Sequence, residues 1–226
     1  MPAEFDRYAQ DYETLLRDPL RDRFVESSAF FHRRKWILIE SFLEQSRFPI
    51  EKSAWLDVGC GKGELLALGR IHFASAVGCD PSEQMASSAT VEVRHQPTPG
   101  ALPFPDASFD FVTAVCVYHH VPEPSRIPLT REISRVLRPG GLVCLIEHNP
   151  FNPATRLIVS RTPVDQDARL LTSGQANRYL RSAGLLTKSV TFFLYLPERL
   201  FYKYPALESV LAKLPLGGQY AAFAAK

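Results

Sequence analysis

The stretch Leu56-Asp57-Val58-Gly59-Cys60-Gly61-Lys62-Gly63-Glu64 sets three glycines at alternate positions between an apolar run and a helical one. Glycine accepts the left-handed backbone of a tight turn and lets a ligand approach the main chain without meeting a Cβ. A loop of this kind, closing a strand and opening a helix, is where an open parallel sheet binds its ligand. The neighbouring sequence keeps the same rhythm. AWLDVG, SAVGCD, VEVRH, FDFVTAVCV and LVCLIEH are short apolar runs, interleaved with GELLALGRI, SEQMASSA and a helix predicted around Pro128–Leu137. Runs without polar alternation predict strands buried on both faces. Their alternation with helices predicts an α/β, doubly wound, mostly parallel sheet. The helix before LVCLIEH is expected to stop at RPGG, where Pro139 and the glycines turn the chain.

The glycine spacing narrows the ligand. A dinucleotide loop, GxGxxG, needs its third glycine at 64, but that position is Glu64. Asp57, just ahead of the loop, would repel a pyrophosphate and favour a cationic or amine-bearing ligand. Lys62 lacks the following Ser/Thr of a phosphate-binding Walker loop. Asp80 closes the next strand, where an acid accepts hydrogen bonds from the two ribose hydroxyls of an adenosine. A nicotinamide dehydrogenase is therefore disfavoured.

With these residues in place, the chain resembles the class I S-adenosylmethionine-dependent methyltransferases. The likeness runs in the family's order through LDVGCGKGELL, VGCDPSEQM, ALPFPDASFDFVTAVCVYHHV and REISRVLRPGGLVCLIE. It implies a seven-stranded Rossmann-like sheet with an antiparallel C-terminal hairpin, supplied here by VTFFLYL and YAAFAA. It also implies S-adenosylmethionine as cofactor. Gly59, Cys60, Gly61 and Gly63 would lie beneath the methionine part, and Asp57 near its amino group. Asp80 and Pro81 would flank the ribose and Met85 the adenine. Ala101 and Leu102 would edge the adenine, and Cys116 would line the sulfonium side. Many relatives carry an acid a few positions before LPF; here HQPTPGALPF leaves Thr98, Gly100 or the backbone to face the adenine amine. EHNPFNPATR, PVDQDARLLT and LPLGGQY resemble a bacterial small-molecule and quinone-type branch.

Methyl transfer needs alignment of acceptor and methyl, and a base only if the acceptor must lose a proton. His119 and His120 follow the fourth strand at its ligand-binding edge, and His120 is the candidate base because histidine titrates in the right range. Glu147 and His148 end the fifth strand beside Asn149 and are candidates to orient or deprotonate the acceptor. No metal is assigned, since nothing in the sequence fixes a ligand spacing among these residues. Tyr8 and Tyr12, one helical turn apart, either pack on the core or close over the cofactor, with Tyr8 favoured as a contact.

The flanks complete one domain, with a helical cap over 1–50, the cofactor core over 54–148 and an acceptor side over 149–226. Phe5, Tyr8, Tyr12, Leu15 and Leu16 predict one apolar helical face, and a second helix follows Ser27-Ser28. The long stretch after Asn149 reads as a substrate lid with a short helix at Ala154–Ser160. Thr172 and Gln175 form a capping-box start to a helix ending near Gly184. The 26 Lys+Arg against 24 Asp+Glu leave a charge of +2 and no basic stripe for nucleic acid. No apolar run is long enough to span a bilayer. Four cysteines without a CxxC pair fit a reducing cytoplasm. The expected reaction is methyl transfer to a small or lipid-like acceptor, without nucleic acid, peripheral contact with a lipid surface being compatible. The alternatives are a quinone- or polyketide-directed carbon methylase and a non-catalytic cofactor-binding protein.

Overall fold

The computed structural model describes residues 4–98 and 100–226. A 3-10 turn at Glu4–Tyr8 leads into α1 (Tyr12–Leu15), α2 (Pro19–Phe24) and the longer α3 (Ala29–Gln45). The apolar face expected over Phe5–Leu16 is thus divided among short pieces. Asp18 causes the second break by accepting from the amides of Leu20 and Arg21 while Pro19 opens α2. A proline has no amide with which to continue the preceding helix.

The core then runs β1 (Ala54–Val58), α4 (Glu64–Gly69), β2 (Ser75–Asp80), α5 (Glu83–Ser87), β3 (Val93–His95), β4 (Phe109–Val115), α6 (Glu123–Val136) and β5 (Leu137–His148). It closes with α7 (Pro153–Val159), α8 (Ser173–Ser182), β6 (Leu186–Phe193), α9 (Glu198–Lys203), α10 (Pro205–Leu211) and β7 (Gln219–Ala225). The strands form one sheet in the order β3-β2-β1-β4-β5-β7-β6. Strand β7 is antiparallel to both neighbours and every other pairing is parallel, as expected for an α/β doubly wound sheet with a C-terminal hairpin.

Three boundaries differ from the sequence expectation. Helix α6 starts at Glu123, with a proline in its first turn and Pro128 inside it; a first-turn proline leaves no needed bond unmade. The RPGG segment belongs to β5, because the Gly140 amide donates to the Lys226 carbonyl and the Lys226 amide to Gly141. Strand β6 begins at Leu186, before VTFFLYL, and stops where Leu194 takes a φ of +62°. As an edge strand it leaves Leu186 and Lys188 in solvent, so its apolar signal starts late.

Helices cover both faces of the sheet. On one, Phe30, Trp36, Ile39 and Leu43 of α3 and Leu65 and Leu66 of α4 pack with Trp55, Phe111 and Phe223. On the other, Leu129, Ile133 and Val136 of α6 and Ala176 and Leu180 of α8 pack with Leu56, Val112, Val143 and Leu145. Each such fully buried Leu, Ile or Phe contributes about 1.5–3 kcal/mol of transfer free energy. The chain winds toward β3 from one side of β1 and toward β5 from the other. The crevice this leaves, at the carboxyl ends of β1 and β4, is where ligands bind in open sheets.

Candidate active site

Strand pairing builds the first part of the site. Trp55 and Asp57 on β1 lie beside β4, and Trp55 Nε1 donates to Thr113 Oγ1 at 2.8 Å. The Thr113 hydroxyl in turn donates to Asp57 Oδ1 at 2.6 Å, holding a carboxylate that is 2% exposed. Burial pushes Asp57 up to about 7, while the Thr113 hydroxyl and the Lys35 ammonium pull the other way.

The loop after β1 uses its glycines in two ways. Gly59 and Gly63 have φ of +65° and +77°, and a Cβ on them would sit 2.6 Å from Val117 Cγ2 and 2.4 Å from Val91 Cγ2. Gly61, at φ +56°, would direct a Cβ into open space. Its amide donates to Asp80 Oδ2 at 2.8 Å, and the Ser82 amide donates to Asp80 Oδ1 at 2.8 Å. Burial raises the Asp80 pKa and these two amides oppose it. Each Asp80 oxygen still has a lone pair for a ligand hydroxyl.

Beyond the strand ends lies a cavity of about 630 Å³. Its floor is Asp57–Lys62, Asp80, Pro81 and Met85; its cover includes Phe5, Tyr12, Leu16, Phe24 and Phe31. Of the residues singled out in the sequence, Asp57, Gly59, Cys60, Gly61, Asp80, Pro81, Met85, Cys116, His120 and His148 line this cavity. Tyr8, Gly63, Ala101, Leu102 and Glu147 do not. Tyr8 packs against Phe5, and Tyr12 faces the cavity in its place. Ala101 is exposed, and Leu102 turns into the core with its amide on Glu132. Gly100 and Gln96 stand at that edge instead.

The far end of the cavity holds a polar cluster. Glu147, fully buried, accepts from the amides of Val117 (2.9 Å) and Tyr118 (2.7 Å) through Oε1. Its Oε2 lies 2.5 Å from His119 Nδ1. His119 Nε2 and His120 Nε2 approach Asp165 Oδ1 at 3.7 Å and 3.3 Å. Burial opposes a charge on His119, but Glu147 and Asp165 outweigh it and push the imidazole up to about 10. Burial would raise Glu147 and Asp165 too, yet the histidines hold both below the ordinary carboxylate range. Next to this cation, burial pushes His148 down to about 3, so it is neutral. Gln219 on β7 donates to Cys116 Sγ at 3.4 Å and sits 3.4 Å from His148 Nδ1, leaving its Oε1 without a partner. Lys35 donates to the same sulfur at 3.6 Å. Glu147 thus reaches the cavity only through His119, whereas His120 and His148 face it directly.

Asp165, Lys35, Gln219 and His32 line the cavity without having been singled out as site residues. Only Asp165 left a signal, its place in the long segment read as a lid. The others come from elements whose periodicity describes packing.

The methyltransferase-domain family profile matches residues 56–145. Residues 56–145 thus carry a methyltransferase domain, and the fold is the α/β Rossmann-like one of solved S-adenosylmethionine-dependent methyltransferases. The chain is 29% identical over 132 residues to a protein named probable tRNA methyltransferase 9B from Bos taurus, covering 56% of this chain and 28% of that one. It is 28% identical over 167 residues to a ubiquinone biosynthesis O-methyltransferase from Pseudomonas syringae, covering 66% and 71%. It spans well under half the length of several curated relatives. A solved S-adenosylmethionine-dependent methyltransferase from Archaeoglobus fulgidus shares the fold, with a TM-score of 0.62 at 18% identity over 84% of this chain and 94% of that one. The methyltransferase domain implies S-adenosylmethionine as cofactor. The donor set fits it: Asp80 has lone pairs to spare, Gly61 borders open space, and Asp57 supplies an anion beside the loop. Among the described residues, no helix is long and apolar enough to cross a membrane.

Proposed function

We propose that this chain methylates a small-molecule or lipid-like acceptor bearing a hydroxyl group. When bound, S-adenosylmethionine supplies a methyl group already activated by a positive sulfonium. In this reading Asp80 and the Gly61 amide hold the ribose end, Met85 and Gly100 border the adenine, and Asp57 faces the ammonium. The observation that carries the reading is the shape of the cavity. The glycine loop and the His119–Asp165 cluster share one space beneath a cover of Phe5, Tyr12, Leu16, Phe24 and Phe31. Its volume and mostly apolar walls suit a small ligand. His120 and His148 present imidazoles toward the acceptor end, while Glu147 fixes the His119 ring and Gln219 Oε1 lies buried and unpartnered beside them.

A second reading, methylation of tRNA, is favoured by the relatives named for that activity. The test is a screen with methyl-labelled cofactor against hydroxylated aromatics, hydroxy lipids and bulk tRNA. Label in a small hydroxylated compound supports the proposal. Label in tRNA and in no small compound overturns it.

A further inference from the structure

The sequence offers no ligand spacing for a metal among His119, His120, Glu147 and His148. The fold supplies one by bringing in Asp165, from the 3-10 turn after α7. We propose that His119, His120 and Asp165 form a binding site for one divalent transition-metal ion, whose open positions face the cavity and take the acceptor's oxygen.

Three observations converge on this site. The first is spacing. One donor atom from each of the three residues lies within 4.8 Å of the others. Ligands about 2.0–2.2 Å from a common ion stand roughly 3.0–3.5 Å apart. The two distances to Asp165, 3.7 and 3.3 Å, are already near that range. The third separation, between the two imidazoles, is at most 4.8 Å.

The second observation is orientation. A metal-ligating histidine usually gives its other ring nitrogen to a carboxylate, which fixes the tautomer and strengthens the ligand. Glu147 does this for His119: it holds Nδ1 at 2.5 Å and is itself anchored by two backbone amides. That leaves Nε2, the nitrogen a metal would take in place of its proton, facing Asp165. The 3.7 Å separation there is too long for a hydrogen bond.

The third is charge. Two carboxylates, Glu147 and Asp165, lie buried within reach of one imidazole. Buried anions require a cation. A bound divalent ion would balance both with one centre. Two imidazoles and one carboxylate select zinc, iron, manganese or cobalt over magnesium or calcium, which prefer oxygen ligands. Three protein ligands leave positions open, and all three residues line the cavity. Phe5 stacks edge-on against His120, its ring 4.8 Å away, and closes the site on the outer side.

The role in holding the acceptor rests on the small-acceptor reading above; the metal site does not. Cobalt(II) is the probe, titrated into the full chain after chelator treatment and followed by its visible absorption. The expected result is one equivalent bound, with Asp165→Asn and His120→Gln each weakening binding at least tenfold. Glu147→Gln, acting through His119, should weaken it about 10–100-fold. S-adenosylhomocysteine binding by Asp165→Asn and His120→Gln verifies their folding and tests the cofactor site separately. Absence of stoichiometric cobalt binding to the parent, or equal affinity in both folded variants, overturns the site. Cobalt binding without methylation of any small hydroxyl compound would leave the metal site standing and remove the proposed acceptor.

Discussion

With the cofactor's ammonium beside Asp57, as proposed, binding should be proton-coupled. Its carboxyl is pushed up to about 7 because burial outweighs the Thr113 hydroxyl and the distant Lys35 charge. An ammonium placed beside it favours the ionised form and returns the carboxyl toward its ordinary 3.8. The free protein then carries a proton below pH 7 that the complex does not. Affinity should rise with pH, about tenfold per unit up to pH 7, and level off above it. Between pH 5 and pH 8 that amounts to about a hundredfold in Kd, or about 2.7 kcal/mol. Calorimetry with S-adenosylhomocysteine, in buffers of different ionisation enthalpy, measures both the affinity and the proton released. Asp57→Asn should abolish the slope and lower the affinity at pH 8.

The same residue has the opposite effect on the free protein. Its folded-state value lies above the unfolded 3.8, so its stabilising contribution is complete below pH 3.8 and lost as pH rises through about 7. Asp57→Asn should therefore stabilise the cofactor-free chain at pH 8, by at most about 4 kcal/mol in denaturant unfolding. A flat affinity from pH 5 to pH 8, or an unchanged slope in Asp57→Asn, would refute the reasoning.

Asp80→Ala should weaken S-adenosylhomocysteine binding by about 1.5–3 kcal/mol, the range for hydrogen bonds to a charged group; an unchanged Kd removes Asp80 from the cofactor site. Gly63→Ala should cost about 1–2 kcal/mol for its left-handed backbone, and more for the approach to Val91, lowering Tm by several degrees. Gly61→Ala bears the same backbone cost but meets no neighbour, so it should lower Tm less than Gly63→Ala while weakening S-adenosylhomocysteine binding. Tyr12→Ala should weaken binding by on the order of 1 kcal/mol, while Tyr8→Ala changes it less; the reverse order would return the contact to Tyr8.

The cofactor half was legible because its information is local. A glycine at φ +65° and an acid at the end of the next strand can be read within a few residues of a buried strand. Strands β1, β2, β4 and β5 announce themselves as apolar runs because helices cover both faces. Strand β6 hides its start because its outer edge is wet. The polar cluster was half legible. His119, His120, Glu147 and His148 sit at strand ends, where side chains converge, but nothing near Asp165 or Gln219 marks them as partners. Their meeting depends on where a turn and a strand from distant parts of the chain come to rest. Tyr8 and Tyr12 share one helical period, so only the break into short pieces distinguishes them.

Strand β7 lies between β5 and β6, although it is the last strand of the described chain. During synthesis, β1 through β5 emerge first, and Leu142–His148 offers an unpaired apolar edge until Gln219–Ala225 arrives. An open edge of this kind recruits other chains. Substitutions in the final strand should thus appear first as lost soluble yield. Because that strand also delivers Gln219 to the cavity, the sheet and the cavity wall are completed together, so a nascent chain with an unfinished sheet lacks a finished cavity as well as being sticky.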